Sequence, residues 1–184
     1  MLSEQDIRRV IAVFEANRAA WVLVGAHAVG ILTEPRATAD FDFIIETRKL
    51  DGILRDLAGA FGELDAREIG AAVELTAIDI DLIRSTNHAL FAEALRDVRT
   101  LGDWRLPRTE VLIALKFLAA ISPWRDRVRK TRDMGDLAAL YLAGGSASLD
   151  REEAIRLGGL AYPGAERELR DLLDRIDRGD PLSI

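Results

Sequence analysis

The sequence predicts a protein that mixes β-strands and helices in its first half and contains only helices in its second half. Up to about residue 105, short apolar runs and alternating apolar residues, both typical of strands, are interspersed with segments of helical spacing. Beyond that point the apolar patterns have helical spacing. We therefore expect the α+β class, with a boundary between residues 98 and 107. The loops are short, so the two halves should pack on each other.

Composition restricts the classes of protein to which this chain can belong. Nearly half of the 184 residues are apolar, which suffices for a sizeable core and argues against disorder. The net charge of −6 argues against a general nucleic-acid coat, so any contact with nucleic acid needs a local basic patch. Cysteine is absent, which excludes disulfides and thiolate chemistry. The first residues lack a signal-peptide pattern, and Lys116 interrupts the longest apolar run, so we expect a cytoplasmic protein with no membrane partner.

Local signals place the elements along the chain. Ser3 and Asp6 form a capping pattern for a first helix that should end near Asn17. Gly25 ends the first strand and opens a helix whose early residues are small, and Pro35 marks the turn that follows. The predicted strands include residues 21–24, 40–45 and 73–83, and the predicted helices include residues 25–32, 47–61, 87–97 and 107–121.

The strand at residues 40–45 carries two acidic residues on one face. Side chains alternate along a strand, so Asp40 and Asp42 share one face while Phe41 and Phe43 share the other. Carboxylates about 7 Å apart beside an apolar core repel each other. A divalent cation between them explains the pair most easily, and carboxylate oxygens are the ligands that Mg²⁺ prefers.

A second acidic pair lies in residues 73–83. As one continuous strand, this segment places Asp79 and Asp81 on the same face as Val73 and Leu75. Asp81 sits near the end of the strand and is our first choice for a functional carboxylate. Asp79 is the second choice, because a solvated strand face explains it more simply.

Four segments together resemble the polymerase-beta-type nucleotidyltransferase superfamily. The first two are Gly25-Ala26 at a helix start and the Asp-x-Asp strand, preceded here by Arg36 and Thr38. The Arg-x-Thr-x-Asp-x-Asp form is most similar to the AbiEii-like branch, found in toxin–antitoxin and phage-defence systems. Residues 110–116 and 130–137 are similar to two helices of that branch, one with a lysine and one with a basic-Asp-x-x-Asp-Leu pattern.

The resemblance implies both a fold and a reaction. The fold is a small mixed β-sheet nucleotidyltransferase core with flanking helices in residues 1–100, followed by an all-helical domain in residues 101–184. The reaction is the Mg²⁺-dependent transfer of a nucleoside monophosphate from an NTP to an acceptor, with release of pyrophosphate. The acceptor can be a tRNA end, a protein hydroxyl or a small molecule, and the resemblance also implies a cognate toxin or antitoxin partner.

The resemblance also assigns residues to this reaction. Asp40, Asp42 and Asp81 would be the catalytic residues and would ligate two Mg²⁺ ions. The residues that would bind the nucleotide are Gly25, Ala26, Arg36, Lys116, Lys130 and Arg132. The superfamily usually has Ser or Gly where this chain has Ala26, and a smaller residue than His27. These differences favour an alternative, a catalytically weak relative that binds a nucleotide or a partner protein.

Some of these residues also have simpler interpretations. Lys116 can pair with a core acid, since a charge within an apolar helix usually pairs or reaches solvent. Asp133 and Asp136 should pair with nearby arginines rather than bind a metal ion, and Arg36 can bridge acidic residues. The basic stretch at residues 125–132 is most simply a solvated face. For Trp21, Trp104 and Trp124, packing in the core or between the halves is the simplest role.

Overall fold

The computed structural model describes residues 2–182, except for the side chains of residues 145–148. Strands and helices alternate irregularly up to residue 107, and between there and residue 182 the regular elements are all helices, so the α+β class is confirmed. The elements are α1 (Glu4–Ala16), β1 (Trp21–Leu23), α2 (Gly25–Leu32), β2 (Phe41–Ile45), α3 (Leu50–Phe61), β3 (Ala66–Ile69), β4 (Ala72–Leu75), β5 (Ile80–Arg84), α4 (Ala89–Ala94), β6 (Val98–Leu101), β7 (Trp104–Pro107), α5 (Thr109–Ile121), α6 (Arg127–Ser148), α7 (Arg151–Gly158) and α8 (Ala165–Arg178).

The central sheet has five strands in the order β1-β2-β5-β4-β3. Strands β2 and β5 run parallel, whereas the other neighbouring pairs are antiparallel. The predicted small mixed sheet with flanking helices is therefore confirmed. The parallel strands β2 and β5 are distant in sequence but lie side by side at the centre of the sheet. Each has an acidic residue near its start, Asp42 in β2 and Asp81 in β5.

An aromatic cluster fixes α1 against one face of this sheet. The ring of Phe14 lies 5.6 Å from that of Trp21 and 5.1 Å from that of Phe43, in tilted and edge-to-face geometries that aromatic pairs favour. Trp21 is only 1% exposed, which confirms its predicted place in the core. Because Asp42 lies next to Phe43 along the strand, its side chain points to the opposite face of the sheet.

The helical half is built around α5, which packs against α6 and α7, while α6 also contacts α2 of the first half. Most residues of α5 are buried, including Glu110 and Lys116. Among the residues that the structure describes, no helix is both long and apolar enough to cross a membrane. The predicted boundary at residue 100 falls within the β6–β7 hairpin, and β7 contacts β1. The division into two domains remains a prediction.

The prediction of one strand over residues 73–83 is wrong, because the chain reverses within it. Strand β4 ends at Leu75, a 3₁₀ turn covers Thr76–Ile78, and Asp79 adopts a left-handed conformation with φ +48°. Strand β5 then runs antiparallel to β4. Asp79 therefore does not share a strand face with Asp81. The reversal contains no glycine or proline, the residues that usually mark a turn in a sequence.

The prediction that Trp124 packs within the protein is also wrong. Its side chain is 93% exposed, in the turn between α5 and α6. Trp104, by contrast, is partly buried, and its ring stacks on Phe41 at 6.0 Å. The capping pattern of α1 is confirmed, because the side chain of Ser3 accepts from the Asp6 backbone while Asp6 accepts from the Ser3 backbone.

Candidate active site

A sharp turn at Gly25 brings the start of α2 against the middle of the sheet. The backbone N–H of Val24 donates to the carbonyl oxygen of Asp42 (2.8 Å), and α2 begins at the next residue. Gly25 has φ +66°, in the left-handed region that favours glycine. A Cβ atom on Gly25 would lie 1.8 Å from Oδ2 of Asp42. Only a glycine lets this carboxylate lie so close to the backbone.

A carboxylate row crosses the sheet beside this turn, formed by Asp42, Asp81 and Glu74. Asp42 pairs with Asp81 across the parallel strands β2 and β5, and Asp81 pairs with Glu74 across the hairpin β4–β5. Residues paired in this way point to the same face, on strands about 4.8 Å apart. Glu74 could not be identified as a site residue from the sequence, because only the β4–β5 hairpin places it opposite Asp81.

Burial and repulsion raise the pKa values of Asp42 and Asp81 in this row. Burial raises the pKa of Asp42, and the charges of Asp40 and Asp133 add to the effect. Burial likewise raises the pKa of Asp81 to about 7, with further contributions from Asp42, Glu74 and Asp40. These carboxylates therefore hold protons more tightly than ordinary aspartates, because their negative charges are close together and partly removed from water.

The other two acidic candidates flank the row. Asp40 is exposed, one residue before β2, and is near enough for its charge to raise the pKa of Asp42. The carbonyl oxygen of Asp79 accepts from the N–H of Phe41 (3.0 Å), which joins the residues that precede β2 and β5. Of the two candidates for a third carboxylate, Asp81 is therefore the one directly paired with Asp42.

The row has the donor chemistry for a hard divalent cation. Its oxygens are of the type that Mg²⁺ prefers, and a cation would relieve the repulsion that raises the pKa values of Asp42 and Asp81. Within the described residues, however, no three His, Asp or Glu side chains are arranged to hold a metal ion as they stand. Holding one would require these side chains to adjust their rotamers.

A charge cluster lies next to the row, in which buried Lys116, Asp133 and Asp136 are joined by the more exposed Arg36 and Arg125. Nζ of Lys116 lies 3.0 Å from Asp133 Oδ1 and 2.8 Å from Asp136 Oδ2. Arg36 binds Asp136 through two hydrogen bonds of 2.8 Å, and Arg125 lies 3.3 Å from Asp133. The predicted pairing of Asp133 and Asp136 with arginines is thus confirmed.

This cluster supplies positive charge to the carboxylate row. Its three cations and two carboxylates leave a net charge of +1. The charges of Lys116 and Arg125 both oppose the rise in the pKa of Asp42. Burial raises the pKa of Asp136, but hydrogen bonds from Arg36 and Lys116 and their charges outweigh this and lower it. Lys116 is 7% exposed, so its ammonium is engaged by buried carboxylates rather than open to solvent.

The remaining predicted nucleotide-binding residues lie on α2 and α6. Ala26 is buried in the first turn of α2. Arg132 and Arg36 line a cavity of about 320 Å³ between α2 and α6, together with Thr33. Lys130 is partly buried two residues before Arg132, and no contact ties it to the row in the described part of the chain. Nucleotide binding by these residues remains a prediction.

His27 occupies the first turn of α2, one residue after Ala26. Its ring stacks on Phe41 at 3.7 Å with an angle of 6° between the planes. Burial lowers its pKa, the charge of Arg36 lowers it further, and Asp40 partly opposes both. Nε2 is buried with no hydrogen-bond partner among the described residues. His27 is therefore a neutral ring packed beneath the turn.

Comparison with known proteins identifies the fold. The sequence matches no protein-family profile and no curated protein. Its structure is similar to that of an antigenic nucleotidyltransferase-like protein from Paracoccidioides brasiliensis, with a TM-score of 0.55 and 14% identity over 96% of this chain and 94% of the other. The fold is that of nucleotidyltransferase-like proteins.

Two structures of the antibiotic-resistance factor ANT(2'')-Ia are similar as well. Its solution structure has a TM-score of 0.54 and 16% identity, over 94% of this chain and 95% of the other. Its crystal structure with adenylyl-2''-tobramycin has a TM-score of 0.51 and 13% identity, over 91% and 96%. The similarity extends over nearly the whole of each chain, so it includes the helical half as well as the sheet.

The close approach at Gly25 predicts a large effect of one added methyl group. We expect Gly25→Ala to lower the free energy of unfolding by about 1–3 kcal/mol, because it combines a left-handed φ with a clash against Asp42. Gly59→Ala is the matched control, since a Cβ there meets nothing within 4 Å in α3. It should stabilise by about 0.5–1 kcal/mol. Urea denaturation measures both, and an unchanged Gly25→Ala stability would contradict the contact with Asp42.

The raised pKa of Asp81 predicts how stability depends on pH in EDTA. Its folded pKa of about 7 exceeds the unfolded value near 4, so its ionisation destabilises the fold as pH rises through that interval. We therefore expect Asp81→Asn to raise the melting temperature more at pH 8 than at pH 4. Asp65→Asn is the opposite control, because hydrogen bonds from Thr76 and Arg67 lower the pKa of Asp65. That variant should lose stability at pH 8, and parallel pH profiles for the two variants would contradict both assignments.

The charge cluster predicts that Lys116 supports the fold. Removing one partner of a buried ion pair leaves the others uncompensated, so Lys116→Ala should lower the free energy of unfolding by about 3 kcal/mol. Lys130→Ala should change it by only about 0.5 kcal/mol, because Lys130 is partly buried but forms no ion pair among the described residues. Denaturant titration compares the two variants. Equal stabilities of the two variants would show that Lys116 contributes little to the fold and is available to bind a ligand.

Proposed function

We propose that this protein is a Mg²⁺-dependent nucleotidyltransferase that transfers a nucleoside monophosphate from an NTP to a hydroxyl of an acceptor, releasing pyrophosphate. The observation that carries the proposal is the packing of the Asp42 carboxylate against Gly25 at the start of α2, with Asp81 paired beside it. The start of a helix and a pair of carboxylates thus lie side by side. The shared fold of the nucleotidyltransferase-like structures supports the same reaction class.

In this proposal Asp40, Asp42 and Asp81 hold two Mg²⁺ ions. When bound, the ions would neutralise phosphate charge and stabilise the attacking and leaving oxygens. Asp42 is the anchor of the set, because its close contact with Gly25 restricts its position and the charge of Lys116 favours its ionised form. Asp40 is more exposed and sits where the chain enters β2, so it has the freedom to turn toward Asp42.

Asp81 is suited to accept the proton of the acceptor hydroxyl. Its pairing with Asp42 across β2 and β5 places it beside the proposed metal site, within the set of groups that an acceptor hydroxyl would approach. In the metal-free protein, burial and acidic neighbours raise the pKa of Asp81, and bound cations would offset this shift. Glu74 contributes to that shift from the adjacent strand. Its role is therefore electrostatic, since it maintains negative charge behind the base.

The phosphates of the NTP would bind at the start of α2. The first backbone N–H groups of a helix have no partner within the helix, and Gly25, the first residue of α2, lies against the Asp42 carboxylate. Arg36, Lys130 and Arg132 would add positive charge from the α2–β2 loop and from α6. Lys116 would act from beneath, holding Asp133 and Asp136 in place while its charge favours the ionised form of Asp42.

The biological setting is a further part of the proposal. The Arg-x-Thr-x-Asp-x-Asp segment favours the AbiEii-like branch, and with it a cytoplasmic role in a toxin–antitoxin or defence system with a cognate partner. The acceptor is then a tRNA, a protein or a small molecule. Ala26 offers no hydroxyl to a phosphate, which favours the second candidate function, a nucleotide-binding relative with weak activity.

The test of the proposed function is pyrophosphate release from each NTP with Mg²⁺ and a cell extract, with radiolabel identifying the acceptor. We expect release by the wild type and a loss of roughly 100-fold or more in Asp42→Asn, because a carboxylate needed for charge stabilisation is removed. Asp171→Asn, on the exposed face of α8, is the control and should keep full activity.

Two results would overturn the transferase proposal in different ways. NTP binding without pyrophosphate release, across all three acceptor classes, would favour the weak nucleotide-binding relative. No binding of any NTP with Mg²⁺ would exclude both functions. Thermal melting measures the binding, since a ligand at 100 times its Kd should stabilise the fold by about 2.7 kcal/mol.

A further inference from the structure

Trp124 is an exposed aromatic side chain in an otherwise charged turn. It is 93% exposed, whereas Trp21 is 1% exposed and Trp104 stacks on Phe41. A single exposed apolar residue needs no special explanation by itself. Its surroundings do, because Arg125 follows it directly and, after Asp126, α6 adds four cations in its first two turns.

The contacts of Arg125 place this turn at the edge of the candidate active site. Arg125 lies 3.3 Å from Asp133, and Asp133 shares the ammonium of Lys116 with Asp136. Asp136 in turn binds Arg36, in the loop that leads to Asp40. The charge of Arg125 also offsets part of the rise in the pKa values of Asp42 and Asp81, so it is close to the carboxylate row itself.

Two arginines of this region lie at the charge cluster, Arg125 within it and Arg132 beside it. Arg125 lies on the side of the carboxylate row, and Arg132 lines the cavity next to Arg36 on the side of α2. Positive charges arranged around one point fit the phosphates of a single nucleotide. A track for a nucleic-acid strand would continue along the surface with several aromatic rings, one for each successive base.

We propose that Trp124 stacks on the base of the donor NTP while Arg125 contacts its phosphates. This inference rests on the proposed function and assigns the base-binding residue of the same site. One exposed ring provides a platform for one base, and Val128, the other strongly exposed apolar residue of the segment at 62%, has no π-face. Stacking tolerates every base but strengthens with ring area, so purine NTPs should bind more tightly than pyrimidine NTPs.

The three tryptophans give a direct fluorescence assay for this contact. Iodide is an anionic quencher and should reach Trp124 readily, because that ring is exposed among cations, whereas Trp21 is buried. Trp124→Phe gives the background signal of the other two rings. With Mg²⁺ present, we expect ATP to protect Trp124 from iodide and tripolyphosphate, which has no base, to leave it accessible.

Affinity measurements by calorimetry separate the base from the phosphates. Trp124→Ala should weaken ATP binding roughly tenfold and tripolyphosphate binding by less than about twofold, since only the stacking contact is lost. Trp124→Phe should restore most of the ATP affinity because it restores a ring. Val128→Ala is the matched control, which removes exposed apolar surface from the same segment, and it should leave ATP affinity unchanged.

The outcomes distinguish failure of this inference from failure of the proposed function. Tight ATP binding with Trp124 still quenched by iodide would overturn the stacking contact and leave the transferase proposal standing. Protection of Trp124 by a single-stranded oligonucleotide but not by ATP would overturn it in favour of an acceptor strand. Binding of neither ATP nor tripolyphosphate would overturn both.

Discussion

The close contact between the Asp42 carboxylate and the backbone of Gly25 is the constraint on which the candidate site depends. It ties the turn between β1 and α2 to the central strand β2, and it leaves no space for a side chain at residue 25. The positive φ of Gly25 also favours glycine at this position. Because β2 pairs in parallel with β5, fixing Asp42 also fixes the position of Asp81 relative to the start of α2.

A cluster of carboxylates at a partly buried position needs positive charge nearby. The protein supplies it from its helical half, through Lys116 on α5 and Arg125 before α6. Asp133 and Asp136 keep these cations in place, and Arg36 connects the same cluster to the loop before β2. The interface between the two halves, where α6 contacts α2, is therefore part of the electrostatics of the site.

The features that could be predicted from the sequence are those set by neighbouring residues. Alternation along residues 40–45 predicts the buried Phe41 and Phe43, and the capping pattern predicts the start of α1. The reversal at Asp79 could not be predicted in the same way, because its left-handed conformation is stabilised by strand pairing and carries no glycine or proline signal. Because the reversal could not be predicted, the position of Glu74 could not be predicted either, since only the β4–β5 hairpin brings it next to Asp81.

The sequence by itself determined the α+β class, the turn at Gly25 and the Asp-x-Asp strand, because short-range periodicity and backbone preference specify these features. Only the tertiary structure decided that Asp81 lies beside Asp42, that Lys116 is engaged by two buried carboxylates, and that Trp124 is exposed. These properties depend on which distant segments meet. Burial and charge pairing are collective results of the packed chain, and no local pattern of residues encodes them.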